Sequence, residues 1–153
     1  MARPLVIGIG NIDRGDDGAG RQVARILRHM LADKAEIVEQ DGEGAAILAR
    51  IEGAQTVYLV DACMSKAPPG TVHRIDAAEG ELPLTSSDLT TRGFGLGSAI
   101  ELARTLGRLP PHTIVYAIEA ESFEPGAPLS PEVAAATVMA ADRIRTEIEP
   151  DAA

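Results

Sequence analysis

The chain has 153 residues and a formal charge of −9, with 45% hydrophobic, 24% charged and only 3% aromatic residues. That is one domain's length with enough apolar residues for a substantial core, built from Ala, Leu, Ile and Val. The acidic balance disfavours nucleic acid and anionic membranes as partners, and no apolar run approaches the roughly 20 residues of a bilayer span.

Leu5 to Ile9 reads as a short buried strand. A glycine-rich loop follows, Gly8-Ile9-Gly10-Asn11-Ile12-Asp13-Arg14-Gly15-Asp16-Asp17-Gly18-Ala19-Gly20. The dinucleotide pattern G-x-G-x-x-G fails here, because Asp13 stands where the third glycine belongs. Asp16 and Asp17 would repel a phosphate from the helix N-terminus that normally attracts one. A nucleotide-binding protein is therefore the weakest reading. Paired carboxylates on such a loop suit a cation, a general acid/base or a peptide substrate.

From Asp17 the pattern becomes helical, with Val23, Ile26, Leu27, Met30 and Leu31 on one apolar face. Glu36 to Glu39 predicts a second strand, and Asp41-Gly42-Glu43-Gly44 a turn. Ala45, Leu48 and Ile51 mark a short helix stopped by Gly53. Thr56 to Val60 predicts a buried strand running directly into Asp61. After the turn Pro68-Pro69-Gly70, Thr71 to Ile75 predicts an edge strand, expected to run antiparallel. Residues 76 to 95 carry no strong periodicity. Leu96, Ala99, Ile100, Ala103 and Leu106 predict a helix ended near Gly107, and His112 to Ile118 a last strand. Ser130 with Pro131 opens a final helix lined by Val133, Thr137, Ala140, Ile144 and Ile148.

Alternating strands and helices predict an α/β fold: a single-domain three-layer sandwich, with a mostly parallel twisted sheet of about five strands and helices on both faces. Ligands in such sheets bind beyond the carboxyl ends of the strands. Asn11, Asp16 and Asp17 project there after the first strand, Asp41 after the second and Asp61 after the third. Asp61 either caps a turn or faces Asp17 across the crevice. Capping and functional roles divide either way between Asp16 and Asp17.

Cys63, the only cysteine, excludes an internal disulfide, and with an N-terminus lacking a long apolar stretch it predicts a cytoplasmic protein. As a nucleophile Cys63 needs an activating histidine. His29 falls on the first helix, His73 on the edge strand and His112 at the far end of the sheet, so a small buried residue is the expected role. No histidine is a favoured metal ligand on that reasoning, and no His/Cys spacing suits zinc. The second glycine-rich stretch, Thr90-Thr91-Arg92-Gly93-Phe94-Gly95-Leu96-Gly97-Ser98, puts Arg92 among the same loops. Its guanidinium suits clamping a carbonyl or carboxylate, or neutralising the acidic pair.

Several segments in this order resemble the hydrogenase maturation proteases. They are Gly8-Ile9-Gly10-Asn11, Arg14 to Gly20, Asp41-Gly42, Val60-Asp61-Ala62, Pro69-Gly70-Thr71, Gly93-Phe94-Gly95-Leu96, Ile118-Glu119, Phe123, Gly126 and Leu129-Ser130. The resemblance covers residues 5 to 145 and implies one such domain over 1–153. It implies an endopeptidase that removes a C-terminal peptide from a nickel-loaded [NiFe]-hydrogenase large-subunit precursor, with no membrane or nucleic acid partner. Asp17 and Asp61 match the two acidic residues that are the family's metal ligands and serve here as catalytic and metal-contacting candidates. Asn11, Asp16, Asp41, Arg92 and Gly93 are the substrate-binding candidates. No cofactor is expected to be permanently bound; nickel arrives with the precursor. The family's third ligand is a histidine opening H-G-x-G-L, where this chain has Arg92, which has no lone pair to give. That departure keeps a second reading open: a non-catalytic relative that binds a hydrogenase subunit as a chaperone or recognition module.

Overall fold

The structure is a computed structural model that describes residues 3–80 and 95–150. Five strands form one sheet in the order β2-β1-β3-β5-β4: β1 is Leu5–Ile9, β2 Glu36–Gln40, β3 Thr56–Cys63, β4 Val72–Asp76 and β5 His112–Glu119. β1 pairs in parallel with both β2 and β3, and β3 in parallel with β5, while β4 runs antiparallel at the edge. Helices α1 (Ala19–Leu31) and α4 (Pro131–Ile148) share one core with the sheet, around Val23, Leu27, Val60, Tyr116 and Ile144. Helices α2 (Gly44–Ile51) and α3 (Leu96–Thr105) share the other, around Ile7, Ile47, Leu59, Ile100 and Val115. The expected three-layer α/β architecture is therefore observed.

The central strands β1 and β3 are buried along almost their whole length, as strands covered on both faces must be. Two details place the loop after β1. A Cβ on Gly20 would collide with the carbonyl oxygens of Val60 and Ile9, so α1 starts directly over the ends of β1 and β3. Gly10 has φ +141°, a conformation that favours glycine, and a Cβ there would collide with the Asp17 carbonyl oxygen. Glycine at these two positions lets the loop fold tightly onto the sheet.

Several boundaries differ from expectation. Residues Gly15–Gly18 form a separate 3-10 turn, and α1 begins only at Ala19 with Gly18 as N-cap, so neither Asp16 nor Asp17 caps it. Met30 is 41% and Leu106 50% exposed; each falls just outside the stripe its helix buries. In α2 the buried positions are Gly44, Ile47 and Ile51, not Ala45. Its cap is Glu43, whose carboxylate accepts the N–H groups of Ala45 and Ala46. Strand β3 continues three residues past Val60, so Asp61 lies inside the strand.

Candidate active site

Asp61 is fully buried, and its Oδ1 accepts the Ala62 N–H at 2.9 Å. Side chains alternate along a strand, so Leu59, Asp61 and Cys63 project to the α2/α3 side. Asp61 lies on that side between Leu59 and Cys63, both buried members of the α2/α3 core. Asp17 sits in the 3-10 turn at the carboxyl edge of the sheet. Its Oδ1 would lie 3.5 Å from a Cβ on Gly10, just past the end of β1. Asp17 Oδ1 and Asp61 Oδ2 are both buried atoms. The glycine-rich loop thus brings a half-buried Asp17 to the end of β1, the strand next to the one that carries Asp61.

Asp16 has a different task. Its Oδ2 accepts the N–H of Glu121 at 2.8 Å, the N–H of Ser122 at 3.1 Å and the Ser130 hydroxyl at 2.8 Å, while Oδ1 accepts the Ser130 N–H at 2.7 Å. At 1% exposure it is a latch between the first loop and the segment entering α4. Against the substrate-binding role expected for Asp16, its carboxylate spends four hydrogen bonds inside the protein, which favours a structural role. Ser130 precedes Pro131 as expected, but its hydroxyl bonds Asp16 instead of capping its own helix.

Asn11 and Asp41 are both exposed at the carboxyl edge. Each folds its own backbone: Asn11 Oδ1 accepts the Asp13 N–H at 2.9 Å, and Asp41 Oδ1 the Glu43 N–H at 3.1 Å. Asp41 follows β2, the outer strand two places from β3. Arg92 and Gly93, and most of the aperiodic 76–95 stretch, lie outside the described residues.

One cluster was missed because its members are far apart in sequence. Glu119 ends β5 opposite Cys63, and antiparallel β4 brings His73 opposite Ala117. Glu119 Oε1 accepts from the Cys63 thiol at 3.4 Å and meets His73 Nε2 at 3.0 Å, and its carboxylate also accepts the Ser65 N–H and hydroxyl. The expectation that His73 stands apart from Cys63 is corrected: the edge strand's reversed direction returns His73 to the site end of the sheet. Burial pushes the Glu119 carboxyl up, but hydrogen bonds from Ser65, His73 and Cys63 outweigh it and hold the group below its usual range. Burial pushes the Cys63 thiol far up, and the Glu119 and Asp61 carboxylates add to that shift. The thiol is therefore protonated at neutral pH and is no nucleophile. The readable signals were Cys63, two residues beyond Asp61 and so on its face, and Glu119, a carboxylate ending a buried strand.

No helix among the described residues is long and apolar enough to cross a membrane. The family model described as "Hydrogenase maturation protease" matches residues 22–147. The hydrogenase 2 maturation protease of Escherichia coli is 28% identical over 93% of this chain and 88% of its own length. The hydrogenase expression/formation protein HupD of Thiocapsa roseopersicina is 28% identical over 84% of this chain, which spans 60% of that relative's length. Among solved structures, the hydrogenase maturating endopeptidase HybD from E. coli superposes with a TM-score of 0.75 at 25% identity, covering 96% of this chain and 92% of its own. The glycine loop, the buried strand-borne aspartate and these similarities agree, and the chain belongs to the hydrogenase maturation protease family.

Proposed function

We propose that this protein is the endopeptidase that trims the C-terminus of a nickel-loaded [NiFe]-hydrogenase large-subunit precursor in the cytoplasm. The observation that carries this reading is Asp61. A fully buried carboxylate at the carboxyl edge of a central strand, beside the glycine-built loop of Asp17, is costly to the fold unless it is used. Two carboxylates at one edge offer oxygen donors to a divalent ion. The nickel is part of the substrate: it is presented in the precursor's own site. Asp17 and Asp61 contact it and hold the adjoining peptide bond against the enzyme, and Asn11 and Asp41 meet the precursor at the rim. Recognition through the cargo metal makes cleavage conditional on nickel insertion.

The test is incubation with nickel-loaded precursor, followed by intact-mass measurement. Loss of a short C-terminal peptide is the expected result. The second reading, a non-catalytic recognition module, is favoured by Arg92 standing in the place of the family's histidine. It expects a stable complex and an unchanged precursor mass.

A further inference from the structure

We propose that Cys63, His73 and Glu119 form a second metal site, separate from the Asp17/Asp61 pair, that takes a borderline-soft divalent ion such as zinc, cobalt or nickel. The three side chains offer a sulfur, a nitrogen and an oxygen, all lying within 4.8 Å of one another. Bond lengths to zinc of about 2.3 Å for sulfur and 2.0–2.1 Å for nitrogen and oxygen set the edges of a tetrahedron at about 3.3–3.6 Å. The cluster already has a Cys63 Sγ–Glu119 Oε1 separation of 3.4 Å and a His73 Nε2–Glu119 Oε1 separation of 3.0 Å. Small side-chain movements therefore suffice to place an ion between them.

The backbone supports this placement. Cys63 and Glu119 are register partners on neighbouring strands, and His73 pairs with the residue two before Glu119. All three donors sit on strands rather than loops, which favours a fixed geometry. Ser65 donates to Glu119 through its N–H and hydroxyl, the outer support that orients a ligating carboxylate. Cys63 and Glu119 are buried, and the His73 side chain is 26% exposed, so the ion enters past the imidazole. Without an ion, the Cys63 thiol donates to the Glu119 carboxylate and His73 Nε2 lies 3.0 Å from it. On binding, the thiol proton leaves to solvent, and Sγ and an imidazole Nε2 free of its proton turn their lone pairs to the metal. The mixed donor set selects against magnesium and calcium, which take oxygen.

The probe is cobalt(II) titrated into the full-length protein. Cys63 is the only cysteine, so a near-ultraviolet thiolate-to-cobalt band reports this site alone. The expected result is one equivalent of cobalt, a charge-transfer band with intense visible absorption of a tetrahedral ion, and its discharge by zinc. Cys63→Ser removes the band; Asp17→Asn leaves it in place. His73→Gln, on the half-exposed edge strand, lowers cobalt affinity at least tenfold and serves if Cys63→Ser does not fold. Absence of the band at millimolar cobalt overturns the site, as does a band that His73→Gln leaves unchanged in intensity and affinity.

Discussion

The Asp16 carboxylate accepts the Ser130 N–H at 2.7 Å across 114 residues of chain. With its bonds to Glu121, Ser122 and the Ser130 hydroxyl, it ties the loop carrying Asp17 to the entrance of α4. Asp16→Asn keeps the shape but removes the charge and points an amide group at donors. Leaving such buried donors unsatisfied costs about 1–3 kcal/mol. At this chain length each kcal/mol lowers Tm by roughly 2–4 °C. Thermal unfolding should show a drop of at least that size. An unchanged Tm with lost activity would return Asp16 to the substrate site.

Asp61→Asn is expected to behave in the opposite way. Precursor cleavage should fall by on the order of 100-fold or more, the range for a positioned acid/base or electrostatic group. Circular dichroism should show the fold retained. Wild-type cleavage by this variant would remove Asp61 from the site.

The adjacent Asp16 and Asp17 look alike in sequence, and the division of labour between them was not legible there. It depends on where residues 121–130 return, a contact no local pattern encodes. The layered α/β fold was legible, because parallel strands buried on both faces leave long apolar runs such as Thr56–Val60, and amphipathic helices separate them. The strand's end was not, since Asp61 is polar and a buried carboxylate reads as a turn. The Cys63–His73–Glu119 cluster was hidden for the same reason as the Asp16 latch: it is assembled by strand pairing across 46 and 56 residues.

Gly20→Ala should be severely destabilising. The added methyl group meets two backbone carbonyl oxygens, Val60 and Ile9, which cannot rotate away. Overpacking costs about 1–3 kcal/mol where side chains can yield, and here the obstacle is main chain. Urea unfolding should show a loss at or above the top of that range. A stability within about 0.5 kcal/mol of wild type, the scatter of neutral surface changes, would mean that α1 does not sit against β3 as described.

Glu39 on β2 binds Arg21 at 2.9 Å and Arg25 at 3.1 Å, and also Arg28. Burial raises the Glu39 carboxyl, but the three guanidinium groups outweigh it and hold the pKa below its ordinary 4.5. A folded value below the unfolded one stabilises the protein fully above the unfolded pKa. That contribution is lost as pH falls through the lower folded value. Glu39→Gln should therefore be less stable than wild type at neutral pH, and the difference should shrink on acidification below about pH 4. Urea titrations at both pH values check this; an equal difference at both would contradict it.

Arg92 tests the first site from the sequence side. It cannot ligate a metal, and its charge repels one. In a Cys63→Ser background, Arg92→His should raise nickel affinity measurably by calorimetry, and Asp61→Asn should abolish the gain. An isotherm unchanged by Arg92→His would contradict the alignment of Arg92 with the acidic pair.

The central claim is nickel-gated cleavage through Asp17 and Asp61. Its most direct test is the intact mass of the large-subunit precursor, nickel-loaded and nickel-free, after incubation with the wild-type protein and with Asp61→Asn. The account predicts loss of a C-terminal peptide in one case alone, the wild-type protein with nickel-loaded precursor. Equal cleavage of the nickel-free precursor, or cleavage by Asp61→Asn at the wild-type rate, would contradict it.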